Sequence, residues 1–333
     1  MSADALRRTV RHPLTDEMLR PLPPETIVVQ VEGTLTGPEF ARLNELLSGS
    51  PTVALRVFVY SGERSPAADL DFLQHLPGLR GLHVDWPDVR DLHGLAAVAD
   101  SLLELSLHTA RRKTSLAPLR QLTAVEDLGW GGSYVDLDAV ADLPSLRELG
   151  LVRVPLAELF SKPFRGSIER LSLFGPFGQK RLDLAPDLRG LRFLELQRNT
   201  ALADADAVRD LPLLEGLTLD TLSALTRLPD LAGLSRLERL ELHGLRRLTD
   251  LGPVRSAPAL RELVLSGVPV TAPDVVAALA GLPLRAATIG LSSRTQEEAA
   301  REQLALPQAS SAVPWQIPRL RRPVVTPRGA APE

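Results

Sequence analysis

Few side chains in this chain have the type and spacing to act on a ligand. There is no cysteine, so disulfides, thiolate nucleophiles and Cys-ligated zinc are excluded. Six histidines occur: His12, His75, His83, His93, His108 and His243. If His83 and His108 share a face with Asp85, a metal or acid–base site competes with the simpler reading of a solvated surface. The acidic run Asp204, Asp206 and Asp210 lacks the glycine and terminal glutamate of a calcium loop. Helix capping and first-turn acidity explain it better. GPFGQK, Gly175 to Lys180, has glycines and a lysine but not the spacing of a phosphate-binding loop, and reads as a turn. No Gly-x-Ser-x-Gly and no His-Glu-x-x-His occurs. Arg111, Arg112 and Lys113 lie together in HTARRKTS, which reads as a turn: either a contact for phosphate or nucleic acid, or a solvated edge loop. The expectation is no catalytic residue, no metal and no cofactor.

Net charge and pI do not favour a polyanion. With a charge of -3 and a pI of about 6.1, nothing draws the chain to nucleic acid or an anionic membrane in general. MSADALRRTVRHPLTDEML has no apolar core of a signal peptide, and no run approaches the roughly 18 apolar residues of a span. A cytoplasmic, monomeric protein without a membrane partner is expected.

What would position any of these residues is a repeat. Leu237, Leu240 and Leu242 form a Leu-x-x-Leu-x-Leu core, followed by Leu245, Leu248 and Leu251. The first leucine recurs as Leu79, Leu102, Val125, Leu146, Ile168, Leu191, Leu214, Leu237, Leu260 and, degenerately, Leu284. The steps are 23, 23, 21, 22, 23, 23, 23, 23 and 24 residues. Within a copy the residues alternate as in a strand: Leu240 and Leu242 face one way, Arg239, Glu241 and His243 the other. One such strand cannot bury its apolar face, but stacked copies can. A parallel sheet with short helical or 3₁₀ returns follows, starting at Asp138, Asp204 and Asp274 as N-caps in three of them. Returns take up more room than strands, so the stack curves with its strands inside.

The ends differ. Residues 1–25 are polar and Pro-punctuated and read as a flexible N-terminus. Residues 26–78 hold degenerate capping repeats: a strand at Thr26 to Gly33, a capping box at Thr36 and Glu39 opening a helix, and a strand at Ala54 to Tyr60. Regular repeats fill 79–291. Residues 292–306 form a capping helix from a second box at Thr295 and Glu298. Residues 307–333 are a Pro- and Arg-rich tail expected to be disordered.

This α/β pattern resembles the leucine-rich repeats of the bacterial internalin-like class, and LTDLGPV, Leu248 to Val254, is similar to that class's return motif. The resemblance implies a solenoid with a parallel sheet on its concave face. It also implies an asparagine eight residues after the first leucine, bonded to turn backbone. Here only Asn199 occupies that place; elsewhere stand Pro87, Ala110, Ser133, Val154, Pro176, Leu222, Leu245 and Val268. Turn backbone then needs other partners. The ubiquitin-ligase branch of the repeat family needs a catalytic cysteine, which is missing.

The outward residues of the strands are the candidate binding surface. Val152, Phe174 and Phe193 place apolar side chains there in three consecutive coils, in a chain with only 4% aromatics. They are either anchors for a partner or pack on each other or on the tail. Gly129, Gly131, Gly132 and Gly150 thin the face into a dip flanked by Trp86, Trp130 and Phe174. Trp130 stands where an inward leucine belongs, so the coil bulges or the register slips and exposes it. Arg170, Glu195, Gln197, Arg198, Asp220, Arg239, Glu241 and His243, with His108, complete the expected contact set. The reading is a non-catalytic scaffold or adaptor binding a protein or peptide on this face. The rival is a regulator of an enzyme or nucleic acid acting through Arg111 to Lys113 and Arg319, Arg321 and Arg322, the tail otherwise being a passive linker.

Overall fold

The structure, a computed structural model, describes residues 6–58, 69–86, 89–310 and 320. Within them the chain is one 13-stranded parallel sheet whose strands lie side by side in chain order. They are β1 Arg7–Arg11, β2 Val28–Glu32, β3 Ala54–Phe58, β4 Gly81–Asp85, β5 Glu104–Ser115, β6 Asp127–Val135 and β7 Glu148–Val152. Then come β8 Arg170–Phe174, β9 Phe193–Gln197, β10 Gly216–Asp220, β11 Arg239–His243, β12 Glu262–Ser266 and β13 Ala286–Gly290. At about 4.8 Å per strand the ladder runs for nearly 60 Å. This is the expected leucine-rich-repeat solenoid.

Register explains why a loose sequence pattern yields a regular stack. From β6 to β13 each strand pairs with the next without a slip, so Leu194, Leu217, Leu240 and Leu263 stand directly above one another. All four are at most 1% exposed. Burying a leucine side chain contributes roughly 1.5–3 kcal/mol, and every coil adds several. A coil removed from its neighbours would leave those side chains wet, so stability resides in the interfaces between coils.

The segment expected to be a frayed terminus instead supplies β1, paired in register with β2. Its one inward apolar residue, Val10, is fully buried beside Val29 and Val31. The helix α1, Gly37–Ser48, starts as the Thr36 box predicts: the Glu39 carboxylate accepts from the Thr36 backbone N–H and hydroxyl, both at 2.8 Å. Glu39 also accepts from the Leu14 N–H at 2.7 Å and meets His12 Nδ1, which ties the N-terminal coil to α1. Those backbone donors, Thr36 first and Leu14 next, with His12 after them, hold its pKa down at about 2. A depressed carboxylate stabilises the fold above its unfolded value, and that contribution is lost as pH falls from about 4.5 through about 2. Glu39→Gln should therefore lower the unfolding temperature at pH 7, and the gap from wild type should close between pH 4.5 and 2 in a pH series of melts.

Most returns are single 3₁₀ turns, as at Asp71–His75, His93–Val98 and Gly252–Ser256. Full helices are α2 Leu156–Leu159, α3 Ala272–Leu279 and α4 Arg294–Leu304. The N-caps differ from the expected aspartates. Thr271 caps α3, with Asp274 accepting from its backbone N–H at 2.9 Å. Asp138 lies inside its turn and pairs with Arg120 and Lys162. Asp204 does accept from the N–H of Asp206 at 2.8 Å. α4 begins two residues early, because Ser293, not Thr295, is its cap.

The missing asparagines are replaced by backbone. The residue after each strand takes a left-handed conformation at Arg153, Gly175, Arg198, Thr221, Gly244 and Gly267. That turn aims its N–H at the last carbonyl of the next strand: Arg153 to Phe174, Gly175 to Gln197, Arg198 to Asp220 and Thr221 to His243, all at 2.8 Å. The ladder continues one rung past the strands, so the turns need no side-chain amide.

Candidate interface on the strand face

Alternation makes the third, fifth and seventh residues of each coil the outward ones, and the register sets them in three columns. Val152 and Phe174 are opposite each other on β7 and β8. Phe193 is opposite Arg170, in the column at the other border of the face. Four residues of strand, about 13 Å, separate the two columns, so the phenylalanines do not form one patch. Both are half-buried, and each lies under an arginine: Arg198 is 5.2 Å from the Phe174 ring centroid and Arg192 5.5 Å from that of Phe193. A guanidinium over a ring keeps the apolar surface covered yet displaceable.

Between and beyond them lie ordered polar groups. Arg170 Nη1 donates to Glu148 Oε2 at 3.1 Å. Ser172 Oγ donates to Glu195 Oε2 at 3.0 Å, and Gln197 Nε2 reaches the same oxygen at 3.5 Å. The Asp220 carboxylate accepts from the Thr221 hydroxyl. Arg239 holds Glu241 at 2.6 Å, pairs with Glu262, and donates through Nη2 to the carbonyl of Ser310 at 2.8 Å. His243 Nε2 lies 3.2 Å from Glu241 Oε2. Burial alone would raise the Glu241 pKa, but hydrogen bonds from His243 and Arg239 outweigh it and the net shift is down. Buried carboxylates held ionised by neighbours are fixed charges, suited to orienting a partner and not to proton transfer.

Three expectations are corrected. Trp86 is 5% exposed and sits in the core, so it is not on the face. Trp130 is 1% exposed and points inward between Leu107 and Leu151; of the two alternatives the bulge holds, since the β5–β6 register shifts just after Leu107 while Trp130 itself stays buried. The dip therefore has no tryptophan walls; its glycines are covered in part by Val152, which a Cβ on Gly131 would approach to 2.9 Å. Residues 111–113 are not a turn: β5 runs through them to Ser115, and its register with β6 shifts after Leu107 and again after Ala110. Lys113 is exposed; the side chains of His108, Arg111 and Arg112 lie outside the described residues, as do Arg319, Arg321 and Arg322.

Several residues of the face lay outside the expected set. Arg56 donates to Gln30 at 2.9 Å and pairs with Asp85, while His83 Nε2 meets Glu104 Oε1 at 2.7 Å. Extending the column count upstream of Leu79 would have found Gln30 and Arg56. His83 thus has a carboxylate partner, and among the described residues no three His, Asp or Glu side chains gather as a metal site.

The charged groups of the face are well covered: among the carboxylates Glu104 is 9% exposed, Glu148 6%, Glu195 8% and Glu241 9%, and the guanidinium-bearing Arg239 is 6% exposed. One oxygen each of Glu104 and Glu195 has no hydrogen-bond partner among the described residues.

No protein-family model matches the chain, and no curated protein does. Solved structures do. It is similar to an internalin of Listeria monocytogenes, InlF, at 17% identity, over 87% of this chain and 81% of that one, with a TM-score of 0.55. An internalin C2 of the same organism aligns at 18% identity over 75% of this chain and 92% of the other, TM-score 0.36. A leucine-rich-repeat protein of Leptospira interrogans aligns at 14% identity over 87% and 93%, TM-score 0.35. The first of these likenesses establishes the leucine-rich-repeat fold.

Proposed function

We propose that this chain is a non-catalytic scaffold or adaptor, acting in the cytoplasm as a monomer, that binds a protein partner on its strand face. The observation that carries the reading is the pair of half-buried phenylalanines, each held under an arginine on the outward side of a sheet whose inward side is wholly given to the core. Apolar anchors bordered by charged groups of fixed geometry are the usual composition of a binding surface. Among the described residues of the face, the carboxylates of Glu148 and Glu241 are held by Arg170 and Arg239. Among the described residues no helix is long and apolar enough to cross a membrane.

The test is capture followed by mutation. A partner recovered from the source cell by the wild-type chain should be lost, at least tenfold in Kd, with Phe174→Asp combined with Phe193→Asp. Circular dichroism should not change, because both residues face outward. Undiminished binding by the double variant would refute the anchors.

A further inference from the structure

Two arginines stand where the turns of this chain favour glycine. The residue after the strand is left-handed in every coil from β7 to β12, and Gly175, Gly244 and Gly267 fill three of those places. Arg153 and Arg198 hold the same conformation, at φ of 58° and 54°, which crowds the Cβ of any L side chain. Strain of this kind clusters at binding and switch sites.

Both side chains lean onto one coil. Arg153, Gly175 and Arg198 are successive rungs of the ladder past the strand ends, about 10 Å from first to last at roughly 4.8 Å each. From the β9 side, the Arg198 guanidinium lies over the Phe174 ring at 5.2 Å. From the β7 side, the stem of Arg153 crosses Gly175: a Cβ there would come 2.9 Å from Arg153 Cγ and 3.7 Å from its Nε. The absence of a side chain at Gly175 is what lets Arg153 lie toward β8. Two cations thus border the end of β8, where Phe174 and its column neighbour Val152 are half-buried.

Counter-charge is missing from this end of the sheet. Arg153 and Arg198 are exposed, and neither has an ion-pair partner among the described residues. Elsewhere arginines find a carboxylate one coil away, as Arg147 does at Glu169, Arg192 at Glu215 and Arg227 at Asp206. The residues beside these two, Val152, Val154, Phe174, Pro176, Gln197 and Asn199, carry no charge. Glu195, further down β9, is turned to Ser172. Asp220, opposite Gln197, accepts from the Thr221 hydroxyl at 2.6 Å, while Arg198 lies away from it on the ring.

We infer that the turn end of β7–β9 is a subsite for an acidic segment of the protein partner, its carboxylates on Arg153 and Arg198 and an apolar side chain beside them on Phe174. This rests on the reading of the strand face as a binding surface and adds the chemistry of what that surface takes. A guanidinium donates to a carboxylate in paired hydrogen bonds, and a carboxylate that draws Arg198 aside uncovers the ring for the apolar neighbour.

Labelled synthetic peptides read the subsite on the full-length chain: one alternating Glu and Leu, one alternating Gln and Leu, and one alternating Glu and Ser. The Glu–Leu peptide should bind at least tenfold more tightly than either of the others, with an affinity that falls as salt rises. Arg153→Gly with Arg198→Gly should remove that advantage. The same variant should melt no lower than wild type, because glycine relieves the left-handed turns, and this separates lost binding from lost folding. Arg246→Gln with Arg247→Gln takes the same charge from exposed positions in the turn after β11 and should leave binding unchanged. Equal loss in the two double variants, or equal binding of the Glu–Leu and Gln–Leu peptides, would overturn the inference. If that occurs while the phenylalanine double variant still loses its partner, the acidic subsite falls and the scaffold reading stands.

Discussion

Trp130→Ala should cost about 3–5 kcal/mol, the range for truncating a large buried aromatic. The indole fills a place in the column of inward leucines, between Leu107 on β5 and Leu151 on β7, and is 1% exposed. Its Nε1 has no hydrogen-bond partner among the described residues, so the loss is one of packing alone. The void would lie next to the first of the two register shifts between β5 and β6, in a close-packed column where neighbours relax only in part. Trp130→Leu restores the residue type of the other coils and should cost less than half as much. Chemical denaturation of both variants checks this. If alanine and leucine prove equally costly, Trp130 is not filling a void that leucine would leave smaller.

Arg239→Met should cost about 3 kcal/mol, the lower end of the roughly 3–5 expected when one member of a buried ion pair is removed. Arg239 is 6% exposed and holds Glu241 and Glu262; the second is about one-third exposed, which is why the lower end applies. Without the arginine, burial dominates at Glu241 and its pKa rises. In the wild type that pKa is depressed, so Glu241 stabilises the fold above its unfolded value, and the contribution disappears on acidification. The deficit of Arg239→Met should then be full at neutral pH and shrink on acidification, from the raised pKa of Glu241 in the variant down through the depressed one of the wild type. Arg239→Met with Glu241→Met should recover most of the loss, since an apolar pair leaves no buried charge. A pH-independent deficit would show that Arg239 acts by packing.

The solenoid was readable because its cause is periodic: leucines that recur every 21 to 24 residues can be satisfied only by stacking. Where one coil carries its information in a single residue, the pattern fails. β1 has one inward apolar side chain, Val10, between Thr9 and Arg11, and it joins the core beside Val29 and Val31 of β2. Trp86 and Trp130 were misplaced for a related reason. Large aromatics suggest a surface anchor, yet position in the coil decides their side, and both fall where the coil points inward or turns under itself. The outward columns were correctly laid out, but not what covers them. Contacts of Ser310 with Arg239 and of Leu320 with Gly81 join residues far apart in the chain, and no local pattern encodes them. The long β5 escaped because HTARRKTS looks like a turn by composition, whereas pairing with β6 keeps it extended.

The unbroken register from β6 to β13 has a consequence for how such a chain can change in length. Each strand pairs with the one before on one edge and the one after on the other, and the same register recurs at every step. Excising residues 214–236 would bring β9 against β11 with Leu194 facing Leu240, as it now faces Leu217. The coils behave as interchangeable cassettes, and whole-unit duplication or loss is a change the architecture absorbs. The coil of β5 and β6, whose pairing is irregular, is not such a cassette.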